Sequence, residues 1–280
     1  MKLLRYGPKG AEKPGLLDAA GQIRDLSGEI DDLTGATVDP TTLARLAAIN
    51  PDSLPQVDGD PRLGTCIGNP GKLVCIGLNY SDHAKETGSP IPGEPIVFMK
   101  AISAINGPND DVELIRDSVK TDWEVELGFV IGREAKYVDE ADALDYVAGY
   151  CIVNDISERQ WQIEREGNWS KGKSGDTYGP VGPWLVTPDE VSDPQALDLW
   201  LEVNGTRRQD GNTRTMIFPV STIISYLSQC MSLQPGDVIA TGTPPGVGMG
   251  MKPQVFLRAG DTMRVGVEGL GVQEQRVVEA

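Results

Sequence analysis

WEVELGFVI, residues 123–131, alternates Trp123, Val125, Leu127, Phe129 and Ile131 with Glu124, Glu126, Gly128 and Val130. That is the two-residue period of a half-buried strand. One face is wholly apolar. The other sets Glu124 and Glu126 about 6–7 Å apart along the strand, with Gly128 beside them leaving backbone room. Two parallel carboxylates repel unless something positive lies between them. Taken alone, the pair reads more readily as a solvated outer face. A third carboxylate shifts that balance, because Asp155 closes the apolar run YVAGYCIVND at residues 146–155. Three hard oxygen ligands from two strands, with no sulfur or imidazole among them, suit Mg²⁺ or Mn²⁺ with water completing an octahedron.

The chain has 280 residues, enough for one large domain or a large domain with a small companion. A formal net charge of -16 argues against nucleic-acid or anionic-membrane partners, which require clustered Lys and Arg. Cys66, Cys75, Cys151 and Cys230 have no CxxC spacing, and Cys75 and Cys151 lie inside apolar runs. All four read as reduced core residues in a cytoplasmic protein, with neither zinc nor disulfides expected. The opening MKLLRYGPKGAEKPG breaks into Gly and Pro too early for a signal-peptide core. No run of about 18 apolar residues suggests a membrane span.

Residues 2–6, 15–17 and 22–26 read as short strands, and residues 40–49 as a helix with Leu43, Leu46 and Ile49 on one face, stopped by Asn50-Pro51. Pro, Asp and Gly dominate residues 51–70, so 1–65 is expected to be a small N-terminal domain with its linker and 66–280 the main, catalytic domain. Further strands are predicted at 72–77 and 96–100, short helical segments at 139–146 and 158–166, and a helix at 220–231. Asn204-Gly205 between two strand patterns is a hairpin signal. SKGKSGDTYGPVGP, residues 170–183, reads as an irregular loop. Strands outnumber helices, so the expected class is strand-dominated α+β.

The one histidine, His83, stands three residues before Glu86 in a polar segment suited to a single helical turn. On such a turn positions i and i+3 share a face, so the carboxylate can hold the imidazole as a general base; a plain surface histidine is the alternative. No GxSxG elbow is present and no cysteine has a neighbouring histidine, so any hydrolysis would use water as nucleophile. Lys171 and Lys173 sit in the glycine-rich stretch, where a lysine could stabilise an oxyanion or simply be solvated. TGTPPGVGMG, residues 241–250, lacks the GK[ST] ending of a nucleotide loop, which leaves a carboxylate-binding loop possible. Met249 and Met251 read as packing residues.

Together GLNYSDHAKE, WEVELGFVIG, NDISERQWQ, KGKSGDTYGPVGP and TGTPPGVG resemble, in order and spacing, the fumarylacetoacetate hydrolase family across roughly residues 70–270. The resemblance implies a mixed β-roll/β-barrel catalytic domain with a small N-terminal domain, a homodimer or homotetramer, and a divalent metal at Glu124, Glu126 and Asp155. It further implies that His83 and Glu86 are a water-activating dyad on a mobile lid, that Lys173 is a catalytic lysine, and that Gln162 and Thr243 lie near substrate. Leu78 stands where some acylpyruvate-cleaving relatives carry arginine, and Gly175 where many carry phenylalanine. The spelling of the motifs is most similar to bacterial enzymes acting on 2,4-diketo-3-deoxy sugar acids of rhamnonate or fuconate breakdown. The expected activity is metal-dependent cleavage of a carbon–carbon bond in a 2,4-diketo acid, giving pyruvate and a hydroxy acid such as lactate. A 2-oxo acid decarboxylase or isomerase is the near alternative, and a non-catalytic metal-stabilised binding protein the alternative from another class.

Overall fold

In the computed structural model, which describes residues 1–280, the strand Val125–Ile131 pairs antiparallel with Val147–Asn154 at the middle of a ten-stranded sheet. On one side follow Gly179–Val186, Lys2–Tyr6, Lys13–Leu17 and Ile23–Asp25; on the other Val238–Ala240, Leu73–Gly77 and the edge strand Ile96–Lys100. Val238–Ala240 runs parallel to Leu73–Gly77 in this otherwise mostly antiparallel sheet. A five-stranded sheet holds Thr206–Asn212, Asp198–Val203, Thr262–Val267, Gly271–Val278 and Val112–Glu113. The fold is a strand-dominated α+β architecture with mixed sheets.

Every residue of Val125–Ile131 is buried, on both faces. Val125, Leu127, Phe129 and Ile131 join a 37-residue apolar cluster that includes Leu199, Leu201, Met263 and Val265 of the five-stranded sheet. Val130, on the carboxylate face, joins a second cluster of 19 residues with Leu3, Leu16, Leu33, Leu46 and Cys151. The solvated outer face that alternation allows is therefore absent, because the N-terminal segment covers it. Its strands continue the sheet through Lys2↔Val186 and Leu3↔Leu185. At roughly 25 cal/mol per Å² of buried apolar area, this double layer is the main stabilising term.

The first helix, Pro40–Ala47, begins at Asp39, whose side chain accepts from the Thr41 and Thr42 amides, with Pro40 in the first helical position. Asp198–Val203 and Thr206–Asn212 form the hairpin, and both turn residues have positive φ, 51° at Asn204 and 72° at Gly205. Two readings are corrected here. Residues 170–183 are irregular only at 174–178, since Trp169–Lys173 is helical and Gly179–Val186 is an inner strand. Sheet partners on both sides, Lys2–Tyr6 and Val147–Asn154, override the weak local propensity of Gly and Pro. Cys66, Cys75 and Cys151 are buried free thiols, but Cys230 ends the helix Val220–Cys230 exposed, on its polar side. No helix is long and apolar enough to cross a membrane.

Candidate active site

Strand register brings the three carboxylates together. Val153 faces Glu126 and Asn154 faces Val125, so Asp155 falls opposite Glu124 and donates its N–H to the Glu124 carbonyl at 2.9 Å. Ligand oxygens of Glu124, Glu126 and Asp155 lie within 4.8 Å of one another, and all three residues are buried. They line a cavity of about 220 Å³ shared with His83, Arg159, Gln162, Lys173 and Thr243.

Cations compensate this cluster unequally. Lys173 Nζ donates at 2.6 Å to both Glu124 Oε2 and Asp155 Oδ2. Fully buried Lys100 pairs with Asp155 Oδ1 and donates to the Ile156 carbonyl at 3.0 Å. Arg159 Nη2 is ion-paired with Glu124 Oε1 at 2.7 Å and with Asp122 Oδ2 at 2.9 Å. Glu126 has no such partner; it accepts the Gly242 N–H at 2.7 Å. Burial pushes the Glu124 carboxyl up, but the Lys173 and Arg159 charges more than reverse this and hold it down at about 2. Burial, then the charges of Asp155 and Glu124, push the Glu126 carboxyl well above the ordinary carboxylate range. Burial disfavours the Lys173 ammonium, yet Asp155 and Glu124 outweigh it and keep it protonated. A carboxylate enclosed with two others and lacking its own cation suits a divalent ion as partner. The all-oxygen donor set fits Mg²⁺ or Mn²⁺.

Lys173 owes its position to a short helix docked on the edge strand. Ser170 Oγ donates to the Met99 carbonyl at 2.7 Å, and Ser174 Oγ accepts the Ala101 N–H at 2.9 Å. The Phe98 and Trp169 rings meet edge-on at 5.4 Å. Gly172 permits the helix to lie against the segment carrying Gln162, because a Cβ there would stand 2.6 Å from both Gln162 Cα and the Glu158 carbonyl oxygen. Lys171, its companion in the sequence reading, does not line the cavity.

His83 and Glu86 lie on the helix Ser81–Thr87, which ends at Gly88 in the left-handed conformation. His83 Nδ1 is 2.9 Å from Glu86 Oε2, and Glu86 Oε1 accepts the Gly246 N–H at 2.9 Å. With Glu86 a carboxylate, which only accepts, Nδ1 carries the hydrogen and Nε2 presents its lone pair. His83 is buried and lines the cavity; Glu86 stands behind it.

The glycine-rich loop 241–250 does bind carboxylates, but they are the chain's own. Gly242 serves Glu126, Gly246 serves Glu86, and the amides of Gly248 and Met249 donate to Asp122 at 2.7 and 3.0 Å. Gly242 does so at φ 100°, where a Cβ would stand 2.8 Å from Asn79 Cβ. Thr243 lines the cavity with its hydroxyl donating to the Val125 carbonyl at 2.9 Å and accepting from Gln209 at 2.7 Å. Gln162 accepts from Arg159 Nη1 at 3.0 Å. Met251 packs on the large apolar cluster, whereas Met249 lines the cavity. Three charged residues escaped the sequence reading: Lys100, Asp122 and Arg159. Arg159 precedes Gln162 by three residues, the same helical-turn spacing as His83 and Glu86, so a signal for it was present. Lys100 and Asp122 carry no local signal.

A family profile described as fumarylacetoacetate (FAA) hydrolase C-terminal matches residues 72–278. A Burkholderia cenocepacia relative, named provisionally as a hydrolase, is 66% identical over 281 residues, covering 100% of both chains. Among solved structures, a fumarylacetoacetate hydrolase from the psychrophile Exiguobacterium antarcticum is 36% identical with a TM-score of 0.89, covering 100% of both chains. A 2-hydroxyhepta-2,4-diene-1,7-dioate isomerase from Mycobacterium marinum is 34% identical with a TM-score of 0.75, covering 100% of this chain and 98% of its own.

Proposed function

The chain belongs to the fumarylacetoacetate hydrolase family, and from that membership we propose that it is a metal-dependent hydrolase of 2,4-diketo acids. Its substrate on this reading is a 2,4-diketo-3-deoxy sugar acid such as 2,4-diketo-3-deoxy-L-rhamnonate, cut to pyruvate and lactate. The observation that supports it is one cavity holding an oriented imidazole, three buried carboxylates and a protonated lysine. Glu124, Glu126 and Asp155 would hold a divalent cation, which would supply Lewis-acid chemistry for a 2-oxo acid.

The chain's own groups do the rest. His83 Nε2 takes a proton from water as its oxygen adds to the C4 carbonyl, and Glu86 keeps the ring oriented and stabilises its protonated form. Lys173 and Gln162 face the negative charge that develops on that carbonyl oxygen. When the C3–C4 bond breaks, its electron pair stays with C3, which takes a proton and becomes the methyl group of pyruvate. The oxygen of water ends in the carboxylate of the second acid. The closed helix Ser81–Thr87 would exclude bulk water while this happens, as a lid does. Assembly into a homodimer or homotetramer in the cytoplasm belongs to the same reading.

Incubation of the Mg²⁺-loaded protein with this diketo acid is expected to release pyruvate and lactate in equal amounts. Carbon dioxide without a second acid would replace the reading by a decarboxylase, and a rearranged acid of unchanged mass by an isomerase. The isomerase reading has specific support in the 34% identity to the Mycobacterium marinum protein.

A further inference from the structure

We infer that the cavity selects substrates whose far end, beyond the 2,4-diketo unit, carries no charge, and that it rejects diacids. The inference rests on the hydrolase reading for where the 2-oxo acid end lies. It is carried by the distribution of charge in and around the cavity.

Arg159 and Lys173 are the only cations among the lining residues. Both are spent. Lys173 bridges Glu124 and Asp155, and Arg159 bridges Asp122 and Glu124. Beyond these two, the three carboxylates and His83, the wall is apolar or neutral, with Leu78, Ile96, Phe98, Ile163, Trp169 and Met249 among its larger apolar side chains. Thr87, Ser89 and Gln162 offer hydroxyl and amide groups, which suit an alkyl or hydroxyalkyl end. Four amides of the glycine-rich loop, those of Gly242, Gly246, Gly248 and Met249, are already occupied by Glu126, Glu86 and Asp122.

Charge counting gives the same answer. With a divalent ion bound and all four carboxylates ionised, Glu124, Glu126, Asp155 and Asp122 face the ion and three buried cations, Lys100, Lys173 and Arg159, which leaves one positive charge. One substrate carboxylate neutralises it. A second carboxylate would lose its hydration against an apolar wall with no cation to meet it.

The test uses two seven-carbon probes differing only at the far end, 2,4-dioxoheptanoate and 2,4-dioxoheptanedioate. With the Mg²⁺-loaded native protein, kcat/KM for the monoacid is expected to exceed that for the diacid by about 50-fold or more, mostly through KM. Calorimetric binding of the same pair to Mg²⁺-loaded His83→Ala is expected to give the same order. That arm separates the two ideas: if neither probe is cleaved, the hydrolase reading falls while binding still decides the selectivity. Ile163 is 49% exposed at the cavity rim, so Ile163→Arg can place a cation there. It is expected to tighten the diacid about 10-fold relative to the monoacid. Equal or tighter binding of the diacid to the protein with Ile163 intact, or a diacid affinity unmoved relative to the monoacid by Ile163→Arg, would overturn the inference.

Discussion

Glu126→Gln is expected to abolish Mg²⁺ binding and turnover while leaving the metal-free protein at least as stable as the native one. The two effects separate because Glu126 is the buried carboxylate with no cation in contact. Without the ion this carboxyl must either stay charged with no cation or take up a proton; a neutral isostere removes that cost, and its amide oxygen can still accept the Gly242 N–H. A divalent ion at 100 times its dissociation constant stabilises a protein that binds it by about 2.7 kcal/mol. Thermal unfolding with and without Mg²⁺ therefore reads the site directly: the native midpoint rises, and that of Glu126→Gln stays where it was. Chelation should silence the native enzyme and added Mg²⁺ or Mn²⁺ restore it. Undiminished ion affinity in Glu126→Gln would remove Glu126 from the site.

The second large effect concerns His83 and Glu86. Each single variant, His83→Ala or Glu86→Ala, is expected to lower turnover by about 10² to 10⁴-fold with ion binding retained, since neither residue belongs to the carboxylate cluster. The double variant should lose little more than His83→Ala alone, because groups acting as a unit are not additive. The geometry behind this is the shared carboxylate of Glu86, one oxygen on His83 Nδ1 and the other on the Gly246 amide. Glu86 thus sets the ring and also fastens its helix to the glycine-rich loop. Additive losses would mean that the two residues work separately.

Much of this arrangement was legible in the sequence, for reasons tied to particular residues. Alternation in 123–131 gave the strand and its two carboxylates, and the apolar run ending in Asp155 gave the neighbour. Their meeting follows from antiparallel register, in which Val153 faces Glu126. The i, i+3 spacing of His83 and Glu86 needed only one helical turn to become a contact. What stayed hidden depends on long-range packing. Burial of both faces of Val125–Ile131 comes from the N-terminal segment, whose Leu3, Leu16 and Leu33 share a cluster with Val130. Lys100 reaches Asp155 from a strand 55 residues away, and Asp122 meets loop amides 126 and 127 residues on. No local pattern announces such partners. The helix and strand within 169–186 were masked by glycine and proline, which weaken local propensity without preventing a sheet from supplying partners.

The central claim is that water cleaves the C3–C4 bond of a 2,4-diketo acid, and the most direct measurement is the reaction of 2,4-diketo-3-deoxy-L-rhamnonate in ¹⁸O-labelled water. The account predicts that the lactate formed carries one ¹⁸O in its carboxylate, placed there as His83 delivers water to C4. Lactate without label, or substrate consumed with no lactate formed, would contradict it.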